Sequence, residues 1–264
     1  MSWKACAARP GSKARRDERR PDPRAAPDAG ALAVEQSPQL ALALGSWPSL
    51  DEADFVVTPS NRAARAWIDR YPDWPAPLVA LHGPAGSGKS HLLHLWRQRT
   101  AATLIDPAAL TPETLPALIG AAHAAAIDFG AADLAVPGAF DERALLHLYN
   151  MMGERRGHVL VAARLAPSRW AVALPDLRSR LGASSGAAID APDDLLLLAV
   201  LGKLFADRQL RPPPEVVPFL AARIERSLDA AARVVDRLDR MAMDSRRSIS
   251  VALARELLDR TEEP

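Results

Sequence analysis

The chain has 264 residues, enough for one large domain or two modest ones, and its 48% hydrophobic content with 5% aromatics favours closely packed helices over an aromatic-rich β core. Its single cysteine, Cys6, rules out an intramolecular disulfide and fits a reducing, cytoplasmic setting, and no apolar run approaches the ~18 residues of a membrane span. The formal net charge of +1 hides an asymmetry, because residues 1–30 hold 8 Lys/Arg against 4 Asp/Glu and leave 25 against 28 for the rest, so the body is not a basic nucleic-acid binder by net charge.

Residues 1–37 are rich in Arg, Pro, Ala and Asp, with few large apolar side chains beyond Trp3, and are expected to be a disordered arm. There is charge near the start but no apolar stretch behind it, so the arm does not read as a signal peptide. In the segment 38–46, Gln39-Leu40-Ala41-Leu42-Ala43-Leu44 alternates leucine with alanine ahead of a Gly45-Ser46-Trp47-Pro48 turn. This pattern suits an edge strand, a first helical turn, or a linear peptide that docks its leucines in a partner's groove. A helix is expected over Arg62 to Arg70, capped by Ser60 or Asn61.

Pro77 to His82 is a short apolar run suited to a buried strand. Gly83-Pro84-Ala85-Gly86-Ser87-Gly88-Lys89-Ser90 then matches the phosphate-loop pattern, and His91-Leu92-Leu93-His94-Leu95-Trp96-Arg97 continues as a helix. Strand, glycine loop and helix form the context that the motif needs. Its glycines let successive backbone N–H groups face a phosphate, reinforced by the helix N-terminus. Lys89 is suited to the β- and γ-phosphates, and the Ser90 hydroxyl to Mg²⁺. The expected ligand is ADP or ATP, bound by Gly83 through His91.

Further strands are expected at Thr103–Asp106, Ala124–Asp128, His158–Ala163 and Ala188–Asp190, with helices over Thr111–Ala125 and Phe140–Gly153, the latter capped by Asp141. An apolar strand that ends in Asp128 after the phosphate loop suits a carboxylate that holds Mg²⁺ through a bound water, although such an Asp also serves as a plain strand end or helix cap. Alternation of strands and helices predicts a parallel three-layer αβα sandwich over 47–191. From Pro192 the pattern becomes wholly helical: Leu195–Asp207 capped by Asp193-Asp194, then Glu215–Arg226, Leu228–Ser245 and Val251–Arg260. Residues 192–264 are therefore expected to form a small all-α lid.

A phosphate-loop sandwich followed by a helical lid resembles the AAA+ plan. The runs Phe55 to Asn61, Gly83 to Ser90, Leu174-Pro175-Asp176-Leu177-Arg178-Ser179-Arg180-Leu181 and Arg223 to Leu228 resemble the DnaA branch, and within it the Hda family of DnaA regulatory inactivators. This likeness spans about residues 38–260. It implies that Gln39, Leu40, Leu42 and Leu44 bind the DNA polymerase III sliding clamp, although a longer arm than usual precedes them. It implies that Arg180 is an arginine finger offered in trans to ATP bound by DnaA, and that Arg226 is a lid arginine on the nucleotide's phosphates. Without the likeness, both are surface arginines. It also implies contact with DNA only through the clamp, no membrane, and no origin-reading helix-turn-helix after the lid; self-association is left open.

Two positions depart from the pattern. Phe129 follows Asp128 where many such ATPases carry a second acid, and the strand that should end in a polar sensor runs Ala162-Ala163-Arg164. Both changes are expected to thin the cleavage machinery while binding is kept. The competing expectation is a self-hydrolysing AAA+ ATPase of the helicase-loader or remodelling type.

Overall fold

The computed structural model describes residues 55–262, with side chains through Arg260, and these residues belong to one compact unit. The expected arm 1–37 and the Gln39–Leu44 peptide lie outside the described residues.

Five short strands form one parallel sheet: β1 (Leu78–His82), β2 (Thr103–Ile105), β3 (Ala124–Asp128), β4 (His158–Ala163) and β5 (Ser185–Ala188), in the order β2-β3-β4-β1-β5. The first four residues of β1 and of β3 are all buried, as strands covered on both faces must be. Alternation splits β1, β3 and β4 between two cores. Val159, Val161 and Ala163 of β4 face one core, and Leu160 and Ala162 face the other. The alanines of β3 have weak strand propensity, yet Ala125 and Ala126 are fully buried, and their small side chains suit close cover by flanking helices.

One face is covered by α1 (Arg62–Asp69) and α2 (Lys89–Thr100), through Ala64, Ile68, Leu92, Leu93 and Trp96. The other face is covered by α3 (Leu115–Ile119), α4 (Glu142–Glu154) and α5 (Pro175–Ala183), through Leu115, Leu145, Leu148, Leu177 and Leu181. After the sheet come α6 (Asp194–Asp207), α7 (Val216–Ala221), α8 (Leu228–Ser245) and α9 (Val251–Glu262), which enclose a third core around Leu201, Phe205, Val235 and Leu253. The αβα sandwich with a helical lid is thus as expected. Among the described residues, no helix is long and apolar enough to cross a membrane.

Three elements differ from the sequence reading. The helix expected over Thr111–Ala125 shrinks to α3. Thr114 Oγ1 donates to the Ala109 carbonyl at 2.6 Å and accepts from the Thr111 amide, so local side-chain bonds replace the first helical turn. Gly120 ends the helix, and Ala124–Ala126 go to the sheet. The fifth strand lies at 185–188 rather than 188–190, because Gly186 lets β5 approach β1; a Cβ there would sit 2.2 Å from the Ala80 carbonyl oxygen. The second lid helix stops at Ala221, and residues 222–226 lead into the extended cap Ser227, whose hydroxyl accepts from the Ala230 amide at 3.3 Å. The caps expected from Asp141 and Asp193 form, accepting from Ala144 and Leu196. Asn61 precedes α1 but does not cap it. Its amide instead accepts from the Thr58 N–H and donates to the Val56 carbonyl, shaping the entry loop.

Candidate nucleotide site

The carboxyl ends of β1, β3 and β4 meet on one edge of the sheet, where ligands bind in open parallel sheets. The loop Gly83–Gly88 leaves β1 there, and Gly88 opens α2, so the first amides of that helix head the loop. Pro84, Ala85 and Ser90 are exposed, whereas Ser87 and Lys89 are buried. Gly86 has φ +66°, and a Cβ on it would lie 2.0 Å from Ser227 Oγ. The Leu228 amide donates to the Gly86 carbonyl at 2.8 Å. The start of α8 therefore rests on the middle of the phosphate loop, a contact that needs both the missing side chain and the left-handed backbone.

Lys89 Nζ donates to the Pro84 carbonyl at 2.5 Å and to Ser87 Oγ at 3.3 Å. Burial pushes its pKa below the usual lysine range, Asp128 opposes that shift, Arg164 adds to it, and Asp229 opposes it. A desolvated ammonium held by two neutral acceptors fits an incoming phosphate, which would supply the missing counter-charge. Asp128 ends β3 and accepts from the Gly130 amide at 2.8 Å. Ser90 and Asp128 supply two hard oxygen donors of the kind Mg²⁺ takes alongside phosphate oxygens and water. Among the described residues, no cluster of three or more His, Cys, Asp or Glu stands ready to hold a metal by itself.

Phe129 takes the other direction. Its amide donates to the Ala162 carbonyl at 2.9 Å, and its ring packs in the core against Phe140 and Trp170, with centroids 5.5 and 5.4 Å away. No acid stands at this position, and the surroundings would not solvate one.

At the end of β4, Ala162 and Ala163 are buried and apolar, and Arg164 follows them directly. Ala163 pairs with His82, and its carbonyl accepts from the Gly83 amide at 3.3 Å. The exposed Arg164 guanidinium thus reaches the field of Lys89 and has no hydrogen-bond or ion-pair partner among the described residues. The signal was available: the residue after an apolar parallel strand lies on the ligand edge.

A second feature was not read from the sequence. Phe55, Asn61, His91, Leu196, Val200 and Leu228 border a small cavity of about 40 Å³ beside the loop. Phe55 meets the His91 ring edge-on at 5.5 Å. The entry loop, the phosphate-loop helix and the lid thus share one apolar pocket. No periodicity announces it, because its walls come from three separated segments.

Arg226 sits one residue before the lid's contact with the loop. Its guanidinium is held by Asp194 at 2.7 Å and by the Pro192 carbonyl at 3.4 Å. Arg180 lies apart on α5, partly exposed, with contacts to Asp176 and Tyr149 rather than to the phosphate loop. Gln39, Leu40, Leu42 and Leu44 are outside the described residues.

No family model matches the chain. Among solved structures, domain III of the replication initiation protein DnaA from Thermotoga maritima has a TM-score of 0.68 over 83% of this chain and 100% of that one, at 17% identity. A mutant of RuvB from Thermotoga maritima has a TM-score of 0.62 over 81% of this chain and 73% of that one, at 16% identity. DnaA from Aquifex aeolicus bound to AMPPCP has a TM-score of 0.56 at 15% identity over 70% of this chain, which spans only 63% of that protein. The chain shares the fold of these DnaA and RuvB structures, a parallel αβα sandwich followed by a helical lid.

Proposed function

We propose that the chain is a nucleotide-bound regulator of the replication initiator DnaA. It holds ADP or ATP through Gly83–His91; Ser90, and Asp128 through a bound water, would hold the Mg²⁺ that offsets phosphate charge, and Arg226 serves the same phosphates once it leaves Asp194. It docks on the DNA-loaded sliding clamp through Gln39, Leu40, Leu42 and Leu44. From there it presents Arg180 to ATP on DnaA, where a guanidinium stabilises charge in the transition state. DnaA-ATP becomes DnaA-ADP, and the origin is not fired again. The chain's own nucleotide acts as a conformational ligand that favours the arrangement displaying Arg180.

One observation carries this reading. The phosphate loop retains its buried lysine, whereas the position that would activate water for the chain's own hydrolysis is a core phenylalanine, Phe129. The partners come from the motif likeness in the Leu174–Leu181 and Gln39–Leu44 segments. The test is ATP turnover by the purified chain, alone and with loaded clamp and DnaA. Turnover near background alone, with marked hydrolysis only when DnaA is added, supports the proposal; brisk turnover alone contradicts it. Replacement of Leu42 and Leu44 should abolish clamp binding and leave nucleotide affinity unchanged.

A second reading, a self-hydrolysing AAA+ ATPase, is favoured by Arg164, which returns a cation to the end of β4. Under that reading, Arg164→Ala lowers the chain's own turnover; under the first there is little turnover to lower.

A further inference from the structure

Arg180 is held from two sides. On its own helix, Asp176 accepts from Nε at 3.0 Å and from Nη2 at 3.3 Å, one turn earlier. From α4, the ring of Tyr149 lies against the guanidinium, 5.3 Å from centroid to Cζ. Nη1 has no hydrogen-bond partner among the described residues. The same α4 also fixes where α5 begins. The Glu142 carboxylate accepts from the amides of Ala173, at 2.9 and 3.0 Å, and Leu174, at 2.7 Å. These are the last amides before Pro175, which has none to offer. Glu142 and Tyr149 lie two turns apart and so share one face of α4. That face sets both the origin of α5 and the resting place of the side chain near its end.

The geometry points to Tyr149 as the positioning residue for Arg180, a proposal that rests on the reading of Arg180 as a finger offered in trans. The aromatic face supports the guanidinium through a cation–π contact and keeps it extended. The exposed Asp176 pair is weak and screened, so an incoming phosphate displaces the carboxylate without dislodging the guanidinium from the ring. Unlike the carboxylate, the ring does not compete with phosphate for the N–H donors.

Four proteins test this: wild type, Arg180→Ala, Tyr149→Phe and Tyr149→Leu. The readouts are the maximal rate of DnaA ATP hydrolysis with loaded clamp, the concentration of this chain for half-maximal stimulation, and its nucleotide affinity. Tyr149→Phe keeps the ring face and should match wild type. Tyr149→Leu should lower the maximal rate about 2–5-fold, the size of an exposed cation–π contact, without moving the half-maximal concentration or nucleotide affinity. The Arg180 Nε–Hε resonance of the chain alone gives a partner-free check: the Tyr149 ring current should shift it in wild type and Tyr149→Phe, and that shift should vanish in Tyr149→Leu. Equal rates and equal resonances for Tyr149→Leu and wild type would overturn the inference, as would a Tyr149→Phe loss as deep as that of Tyr149→Leu. Retained stimulation by Arg180→Ala would instead overturn the reading of the finger itself.

Discussion

The contact between lid and phosphate loop makes a quantitative prediction. In Gly86→Ala, the new Cβ meets Ser227 Oγ at 2.0 Å, Ser227 Cβ at 2.9 Å and Ser227 Cα at 3.3 Å, on a backbone at φ +66°. A left-handed alanine costs about 1–2 kcal/mol. Retreat of the lid breaks the bond from the Leu228 amide to the Gly86 carbonyl, about 1 kcal/mol more. The total is about 2–3 kcal/mol, or roughly 5–10 °C in Tm for a unit of this size. Ser227→Gly removes the two nearest obstacles and, as a helix cap, glycine is only a few tenths of a kcal/mol worse than serine. In the Ser227→Gly background, Gly86→Ala should therefore retain its backbone cost and lose its contact cost. Urea unfolding of the four proteins in this double-mutant cycle should give a coupling of about 1 kcal/mol, the double mutant being less damaged than the two single effects combined. Additivity within ~0.3–0.5 kcal/mol would refute the claim that the lid rests on the loop.

Three further outcomes concern the site and the opposite edge of the sheet. Lys89→Met removes a charge that burial disfavours, so the unliganded protein should be as stable as wild type or more so. Its stabilisation by added nucleotide, about 2.7 kcal/mol at a hundredfold excess over Kd for an intact site, should vanish in thermal-shift titrations. Phe129→Glu should not create an ATPase; it places a carboxylate between Phe140 and Trp170 and should lower stability by about 3–5 kcal/mol in urea unfolding. His158 packs against Tyr71 and Trp74, and burial holds its pKa below the usual histidine value of 6.5. The unfolded chain then takes a proton first as pH falls through 6.5, so stability should be constant above that pH and decline below it. His158→Phe should reduce that slope; an unchanged slope would exclude His158 as its source.

The phosphate loop, Asp128 and the change to an all-helical lid were legible because each is a local pattern: residue types at fixed spacing, or a period that changes along the chain. Shorter features were misread where tertiary contacts overrode propensity. The helix expected to run from Thr111 to Ala125 is cut to Leu115–Ile119, while the strand expected at Ala124–Asp128 forms at those bounds, its small side chains buried between the two cores. The fifth strand, expected at 188–190, lies at 185–188, where Gly186 lets β5 come against Ala80. The cavity beside His91, the proximity of Arg164 to Lys89, and the paired roles of Glu142 and Tyr149 on α4 join residues far apart in the chain, and no local period encodes them. Phe129 was legible as the absence of an acid, but not as a member of an aromatic cluster with Phe140 and Trp170.

In the proposed function this chain binds a nucleotide yet lends Arg180 to hydrolysis elsewhere. The direct measurement is single-turnover hydrolysis of ATP preloaded on DnaA, with loaded clamp and either wild-type chain or Arg180→Ala. The account predicts that wild type accelerates the reaction and that Arg180→Ala loses on the order of 10³-fold or more of that acceleration while binding nucleotide normally. Equal acceleration by the two proteins would contradict it.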